Sequence, residues 1–329
     1  MLGMGSSTFS ELEKDLIGPG SLAGGKYITV TERLAIFLYM CRFAVTCRQA
    51  ADVFGHSATS IGTAFKAVLR ALLSPRVCSK YVRLPSRHSP VPDRITGDPG
   101  LFPCFKDVIK AIDGSHVPAH APLKIRDRFW NRKGRTSFNV LSACDFDMCF
   151  IYILSGWEGR ASDSPLWQKA QDAGLKLGDK KLLGDAGFGF SSNLLIPYRG
   201  VRYHLKEYSV GTRRPRNEKE LYNRRHAGAR NVIERVFGVL QARFKILTTG
   251  CHFALQTQAD LFPALAVVHN LIRQLDPDND IEGQLLDNTD QRSAAGEEQP
   301  QTTRKVEARD AAAHRDRIAK QMWTKYRRQ

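Results

Sequence analysis

The sequence predicts an α/β protein: a core of strands and helices preceded by an all-α unit. Three observations carry this. From Thr29 to Leu73 apolar residues recur at helical spacing. Beyond Leu101 short apolar runs alternate with helical segments, the pattern of a sheet covered by helices. Late in that second region a long stripe, Ile233, Phe237, Leu240, Phe244 and Leu247, steps by four and three along one helix face.

Taken in order, residues 1–25 are rich in Gly and Ser and read as a flexible leader. Residues 26–75 form the all-α unit. In TVTERLAIFLYMCRF, Leu34, Phe37, Leu38 and Cys41 share a face and Thr31 is a candidate cap; a shorter helix covers Arg48 to Phe54. Gly55 makes a turn, Ser57 can cap a third helix carrying Ile61, Phe65, Val68 and Leu72, and Ser74-Pro75 stops it. Three helices with a tight turn before the third suit a helix-turn-helix, whose outward polar face would be Ser57, Thr59, Ser60, Thr63, Lys66 and Arg70. A packing bundle is the plainer alternative. Residues 76–100, basic and proline-rich, read as a linker or extended arm.

The main domain spans 101–275. VIKAI is a buried strand ending at Asp113-Gly114; SFNVLSAC and CFIYILSGW make a hairpin across DFDM; DSPLWQKAQDAG is a helix; KKLLGD is another short strand. A basic insertion (198–225) precedes the long helix, expected from about Ala227, and ADLFPALAVVHNLIRQL closes the domain. Residues 276–300 are acidic and read as a disordered spacer, whereas 301–329 are basic, with Ile318, Met322 and Tyr326 spaced for an amphipathic helix that touches the body, a partner or nucleic acid.

Composition narrows the function. The 329 residues are 42% hydrophobic and 25% charged, which excludes a mostly disordered chain. No run approaches the roughly 20 apolar residues of a membrane span, and MLGMGSSTFSELEKD is too polar and acidic for a secretory signal, so an intracellular protein without a membrane partner is expected. A formal net charge of +16 favours a polyanion, nucleic acid first. Seven cysteines without CxxC pairs suit reduced thiols.

Two acids end apolar strands beside small residues, Asp113 in AIDGSH and Asp185 in LLGDAGFGF. Groups at the carboxyl ends of strands face the functional crevice of an open sheet. Glu234, next to Ile233 of the apolar stripe, sits where a helix packed on the sheet could aim it at those strand ends. Three converging carboxylates repel one another unless a divalent cation joins them, and paired metal ions serve phosphoryl transfer. Plainer readings stand beside this: the two Asp-Gly and Asp-Ala-Gly runs suit simple turns, and Glu234 suits an i,i+4 pair with Arg230. Asp145 and Asp147 read as turn formers, and Asp163, after Ser162 at a helix start, as a cap or as a group beside the metal ligands. Pro118 between His116 and His120 argues against a helical metal pair. GDAGFGF lacks the lysine and spacing of a phosphate loop.

In order, AIDGSHVPA, FWNRKGRTSFNVLSACDFDMCFIYILSGWEGRASDSPLW, LLGDAGFGFSSNLLIPYRGVRYHL and NRRHAGARNVIERVFGVLQARFKIL resemble the DDE transposases of the PIF/Harbinger superfamily, from about Val30 to Leu275. The resemblance implies a ribonuclease-H-like mixed-sheet core behind the helix-turn-helix, with a catalytic, metal-binding Asp113, Asp185 and Glu234. It implies Mg²⁺ or Mn²⁺, two per site, water as first nucleophile, cleavage of DNA at transposon ends and joining of 3′ ends to target DNA. It further implies a Myb/SANT-like accessory protein, a nuclear location and a homo-oligomer that handles two ends. Arg132 and Lys133 of the matching NRKG block, with Arg230 and Arg235, are the candidate DNA contacts of the core, beside Ser57, Thr59, Thr63, Lys66 and Arg70. One departure stands out: Ser162-Asp163-Ser164 occupies the family's His-Asp-Ser. The alternative expectation is a domesticated derivative that binds DNA or chromatin without catalysis.

Overall fold

The computed structural model describes residues 2–18, 22–86, 89–203, 214–276 and 305–328. The helices are α1 (Ser6–Leu16), α2 (Val30–Phe43), α3 (Cys47–Phe54), α4 (Ala58–Leu72), α5 (Pro75–Tyr81), α6 (Asp93–Thr96), α7 (Asp163–Asp172), α8 (Glu218–Arg243), α9 (Ile246–Thr249), α10 (Leu255–Leu275) and α11 (Lys305–Tyr326). The strands are β1 (Val108–Pro118), β2 (Ser137–Cys144), β3 (Phe150–Glu158), β4 (Lys181–Leu183) and β5 (Leu194–Leu195).

Local chemistry sets the boundaries of the N-terminal helices. Glu32 N donates to Thr29 Oγ1 at 3.1 Å, so Thr29 rather than Thr31 caps α2. Thr46 and Gln49 form a reciprocal capping box at α3. Gly55, at φ 68°, ends α3 in the left-handed region, and Ser57 caps α4 through Ser60 N at 3.1 Å. Helices α2 and α4 meet through Phe37 and Phe65, whose rings are 4.9 Å apart.

These helices do not own a separate core. One apolar cluster runs from Leu12, Leu34, Phe37, Phe65 and Leu72 into Leu261, Phe262, Leu265 and Val268 of α10. Phe65 stacks on Phe253 at 4.7 Å, and Asn270 Nδ2 donates to Tyr81 O at 2.9 Å. A division after residue 75 therefore cuts through shared packing. The expected flexible leader is corrected too: α1 buries Leu12 and Leu16 completely, Gly5 N donates to Asp276 Oδ2 at 2.8 Å, and Lys80 Nζ pairs with Asp15 at 2.7 Å. Within the expected linker, α5 and α6 are helical.

The main domain is a five-stranded mixed sheet in the order β3-β2-β1-β4-β5. The hairpin is present: β2 runs antiparallel to both β1 and β3, while β4 is parallel to β1 and β5. Two faces are covered. Against one lie α8 and α10 with Val140, Phe150, Ile233 and Phe237; against the other lies α7 with Leu166 and Trp167 over Ile109, Ile112 and Leu141. Strand β1 does not stop at Asp113. It continues to Pro118 because β2 pairs with it from Ala111↔Cys144 to Pro118↔Ser137, whereas the β4 pairing ends at Ala111↔Leu183. Past Ala111, β1 has β2 on one side and no β4 partner on the other, which opens space beside Asp113.

Helix α8 begins at Glu218, earlier than the expected Ala227, with Asn217 capping Glu220 N at 3.0 Å. The basic tail is helical and docks on the body: Ile318, Ala319 and Met322 are buried, Tyr198 donates to Asp316 Oδ1 at 2.6 Å, and Lys325 Nζ donates to Pro99 O and Phe102 O at 2.9 and 3.0 Å. The acidic segment lies, beyond Asp276, outside the described residues, as does part of the basic insertion. All seven cysteines are free. Among the described residues no helix is long and apolar enough to cross a membrane.

Candidate active site

Side chains alternate across a strand, so with Ile112 facing α7 the next residue, Asp113, turns towards α8. Its Oδ1 accepts from Gly114 N at 3.0 Å, and its Oδ2 accepts from Arg230 Nη1 at 2.8 Å. Asp185 stands just past β4. The loop folds over it, Oδ1 accepting from Gly187 N at 2.7 Å and Phe188 N at 3.3 Å; a Cβ on Gly187 would crowd that oxygen to 3.0 Å. Asp163 opens α7, and Ser164 beside it ties the helix start to the same loop, donating to Gly187 O at 2.9 Å and accepting from Gly189 N at 3.1 Å.

One oxygen each of Asp113, Asp163 and Asp185 lie within 4.8 Å of one another, so Asp163 belongs to the carboxylate group rather than to a helix cap. Glu234 stands one step away. Its Oε1 pairs with Arg230 Nη2, so a single guanidinium joins Asp113 and Glu234. Arg230 Nε also donates to Tyr203 Oη at 2.9 Å. The i,i+4 pair read from sequence is thus real, and Arg230 is drawn inward with 8% of its side chain exposed. Its guanidinium faces the carboxylates of Asp113 and Glu234.

The electrostatics follow from this crowding. Burial pushes the Asp113 carboxyl up to about 7; Arg230 opposes that, while Asp185, Asp163 and Glu234 add to it. Burial, then the charge of Asp185, raises Asp163 to about 6. Burial raises Tyr203 to about 12, keeping its hydroxyl protonated beside Arg230. All the donors are hard carboxylate oxygens, and the set suits a hard divalent cation.

The remaining predicted residues lie elsewhere. Ser57, Thr59, Thr63, Lys66 and Arg70 are exposed on α4 and its cap; Ser57 Oγ is engaged as that cap, and Thr63 Oγ1 donates to Thr59 O at 3.0 Å. Arg132 and Lys133 are exposed in the turn before β2; burial, then the charges of Lys133 and Arg132, lower His116, and Arg132 also acts on Asp163. Arg235 is half-buried on α8 beside Glu234. His116 is a strand residue bonded to Ser137 Oγ at 3.0 Å, and Asp145 forms a turn, accepting from Cys149 N at 2.8 Å. Sequence reasoning missed Tyr203 and Asn139. Nothing in their local sequence marks either, since both reach the site through tertiary packing.

A mixed 3-2-1-4-5 sheet with acids gathered beside its central strand defines a class: residues 112–270 match the model of the DDE superfamily endonucleases, and that span contains Asp113, Asp163, Asp185 and Glu234. Within that class the chain is similar to nucleases of the Harbinger superfamily. It is 28% identical to HARBI1 of Homo sapiens over 232 residues, which is 67% of this chain and 60% of that protein, and the values for HARBI1 of Rattus norvegicus are the same. The ALP1-like protein of Arabidopsis thaliana is 20% identical over 244 residues, 68% of this chain and 56% of that one. The match spans less than two thirds of each of these relatives. Residues 1–74 match a domain family of unknown function, DUF8040, a span that takes in α1 together with α2–α4. No solved structure matches the chain.

Proposed function

We propose that the chain is a metal-dependent DNA endonuclease of the transposase type. It cuts phosphodiester bonds at transposon ends and joins the freed 3′ ends to target DNA. The observation that carries this reading is the meeting of Asp113, Asp163 and Asp185 beside the unpaired edge of β1, with Glu234 linked to them through Arg230. The strand order agrees with a ribonuclease-H-like core. Asp113 and Asp185 would hold the divalent cation, Mg²⁺ or Mn²⁺, and Glu234 would complete a second position. When bound, the metal supplies Lewis acidity to the phosphate and acidifies the attacking water.

The chain's own residues do the rest. Arg230 balances the acids and positions Glu234, the Ser164 contacts hold the Asp185 loop against α7, and exposed Arg132 and Lys133 are placed to grip phosphates next to the site. On α4, Thr59, Thr63, Lys66 and Arg70 form the outward face that would meet the duplex, with Ser57 at its start. A nuclear location, a homo-oligomer handling two ends and a Myb/SANT-like accessory protein complete the proposal.

A second reading, a domesticated DNA- or chromatin-binding derivative, is favoured by Ser162 in place of the family's histidine. Nicking of supercoiled plasmid by the purified chain with Mg²⁺ or Mn²⁺ separates the two. Nicking that requires both metal and Asp185 supports the nuclease. Absence of nicking, even with a cognate end and the accessory protein added, would sink it and leave the binding reading.

A further inference from the structure

A second group of cations stands away from the acids. An α-helix turns about 100° per residue, so Arg225, five residues before Arg230 on α8, leaves the axis roughly 140° round from it. Arg225, its neighbour Arg224 and Arg94 of α6 line an open cavity of about 360 Å³ that Tyr326, at the end of α11, closes on one side. Among the described residues Asp98 is the one acid in that lining, and both its oxygens are engaged: Oδ1 accepts from Gly100 N at 2.8 Å and Oδ2 from Arg94 Nη1 at 3.1 Å.

Arg225 adds an independent observation. It packs against the backbone at Gly100, where a Cβ would come within 3.3 Å of its Nε, and its Nη1 is buried with no hydrogen-bond partner among the described residues. Burial works against its charge, and Arg224 adds to that while Cys104 and Asp98 oppose it. A guanidinium nevertheless stays protonated, and grouped guanidiniums are preferred partners of phosphate. The wall of the cavity is open as well: a Cβ on Gly228 would meet nothing within 4 Å, so a ligand can approach α8 there.

The positive charge continues beyond the cavity. Ile318, Ala319 and Met322 face the body, which leaves Arg309, Arg317 and Lys320 exposed on the outward side of α11, and exposed Arg327 and Arg328 follow Tyr326. The exposed acids of that helix are Asp310 and Asp316, the second of them held by the Tyr198 hydroxyl at 2.6 Å. At 1.5 Å per residue the cations cover roughly 30 Å. A small phosphorylated molecule would need the cavity alone, whereas a row of cations leading away from it matches the repeating charge of a nucleic-acid backbone.

We propose that the cavity between α6, α8 and α11 is a phosphate-binding pocket for the backbone of duplex DNA, a contact separate from α4 and from the catalytic acids. This rests on the reading of DNA as the substrate. It gives the docked tail a role beyond packing, since α11 completes the pocket and extends its charge.

The test is binding of a fluorescent duplex to the full chain in EDTA, followed by anisotropy across a salt series, for wild type, Arg225→Met and Gly228→Glu, beside thermal unfolding of each. Arg225→Met should lower affinity about tenfold and reduce the salt slope by about 1, with the unfolding temperature unchanged or higher because an unanswered buried charge is gone. Gly228→Glu should lower affinity at least as much while the unfolding temperature holds or rises. Its side chain enters open space, glutamate favours a helix over glycine, and the new carboxylate, one turn from Arg224, occupies the place of the phosphate. A purely structural Arg225 would give a lower unfolding temperature with an unchanged salt slope, and that result overturns the proposal. If Arg225→Met does not fold, Gly228→Glu decides by its affinity. Pyrophosphate supplies a second arm: if it raises the unfolding temperature of wild type but not of Arg225→Met while both bind duplex alike, the pocket serves a small phosphate compound and the DNA assignment falls. Wild type that binds no duplex overturns this inference and the DNA reading together. Wild type that binds duplex no better than either variant overturns this inference alone. EDTA silences cleavage, so the readout does not depend on whether the chain nicks DNA.

Discussion

Arg230 and Arg243 stand on the same helix, α8, and are almost equally buried, at 7% and 1% exposure. Arg230 faces Asp113, Glu234 and the Tyr203 hydroxyl, whereas Arg243 reaches the carbonyl of Gly3 at the approach to α1. The first cation answers anions, and removing it leaves their charge uncompensated. The second donates to the Gly3 carbonyl and fastens the N-terminal segment to α8. Burial alone says nothing of role; what a buried charge faces does. It also explains why α8 can be apolar along one side and still deliver a carboxylate to the sheet: the guanidinium one turn before Glu234 anchors it.

The largest effect expected on the acidic side of this contrast is from Asp185→Ala. It should reduce metal-dependent plasmid nicking about a thousandfold or more while DNA retention in a gel-shift assay stays the same; equal nicking would remove Asp185 from the chemistry. Arg230→Met comes next. Leaving Asp113 and Glu234 without their cation should cost about 3–5 kcal/mol in urea unfolding of the metal-free chain, and saturating Mn²⁺ should recover part of that. Arg243→Met should cost less, about 1–3 kcal/mol, with no response to Mn²⁺. If the two variants respond to metal alike, the contrast between them fails.

The pH dependence sharpens the same point. Asp113 and Asp163 have folded-state values raised to about 7 and about 6, above the ordinary carboxylate value of 3.8. Their contribution is therefore fully present below pH ~4 and lost as pH climbs through about 6 to 7. Unfolding free energy of the metal-free wild type should fall across that window, and more steeply in Arg230→Met than in Arg243→Met. The smallest effect lies on α4, where Lys66→Ala and Arg70→Ala should each reduce the salt slope of DNA affinity by about 1 without altering stability. Deleting residues 1–74 cannot serve for this, because it would uncover the core that α4 shares with α10.

Where a residue's surroundings are local in sequence, its structure was legible. The β2–β3 hairpin followed from two apolar runs across DFDM, and α4 from Ser57 and the spacing of Ile61, Phe65 and Val68. Asp185, just past β4, and Glu234, beside Ile233 on α8, stand at the strand end and helix margin read from the sequence, whereas Asp113 was read as a strand end and lies in the middle of β1. What escaped depends on distant partners. Polar Gly114-Ser115-His116 looks like a turn, yet β2 holds it in β1. Met1 to Gly25 looks like a leader by composition, yet Leu12 and Leu16, spaced by four, had a core waiting elsewhere in the chain. Arg230 was read as an i,i+4 partner of Glu234 and as a DNA contact, but its second partner, Asp113, is 117 residues away and was not legible. Asp163 was read as a cap or an accessory, since nothing local says that Gly114 and Asn139 would lie opposite it.

The hydrogen bond from Asn270 to the carbonyl of Tyr81 spans 189 residues. During synthesis the N-terminal helices leave the ribosome long before α10 exists to cover them. At about 5–20 residues per second, their apolar faces wait roughly ten to forty seconds for a partner. Vectorial synthesis thus leaves a time window in which Leu34, Phe37 and Phe65 are candidates for chaperone capture. Whether the chain accumulates in a cell is then governed as much by that interval as by the stability of the finished fold.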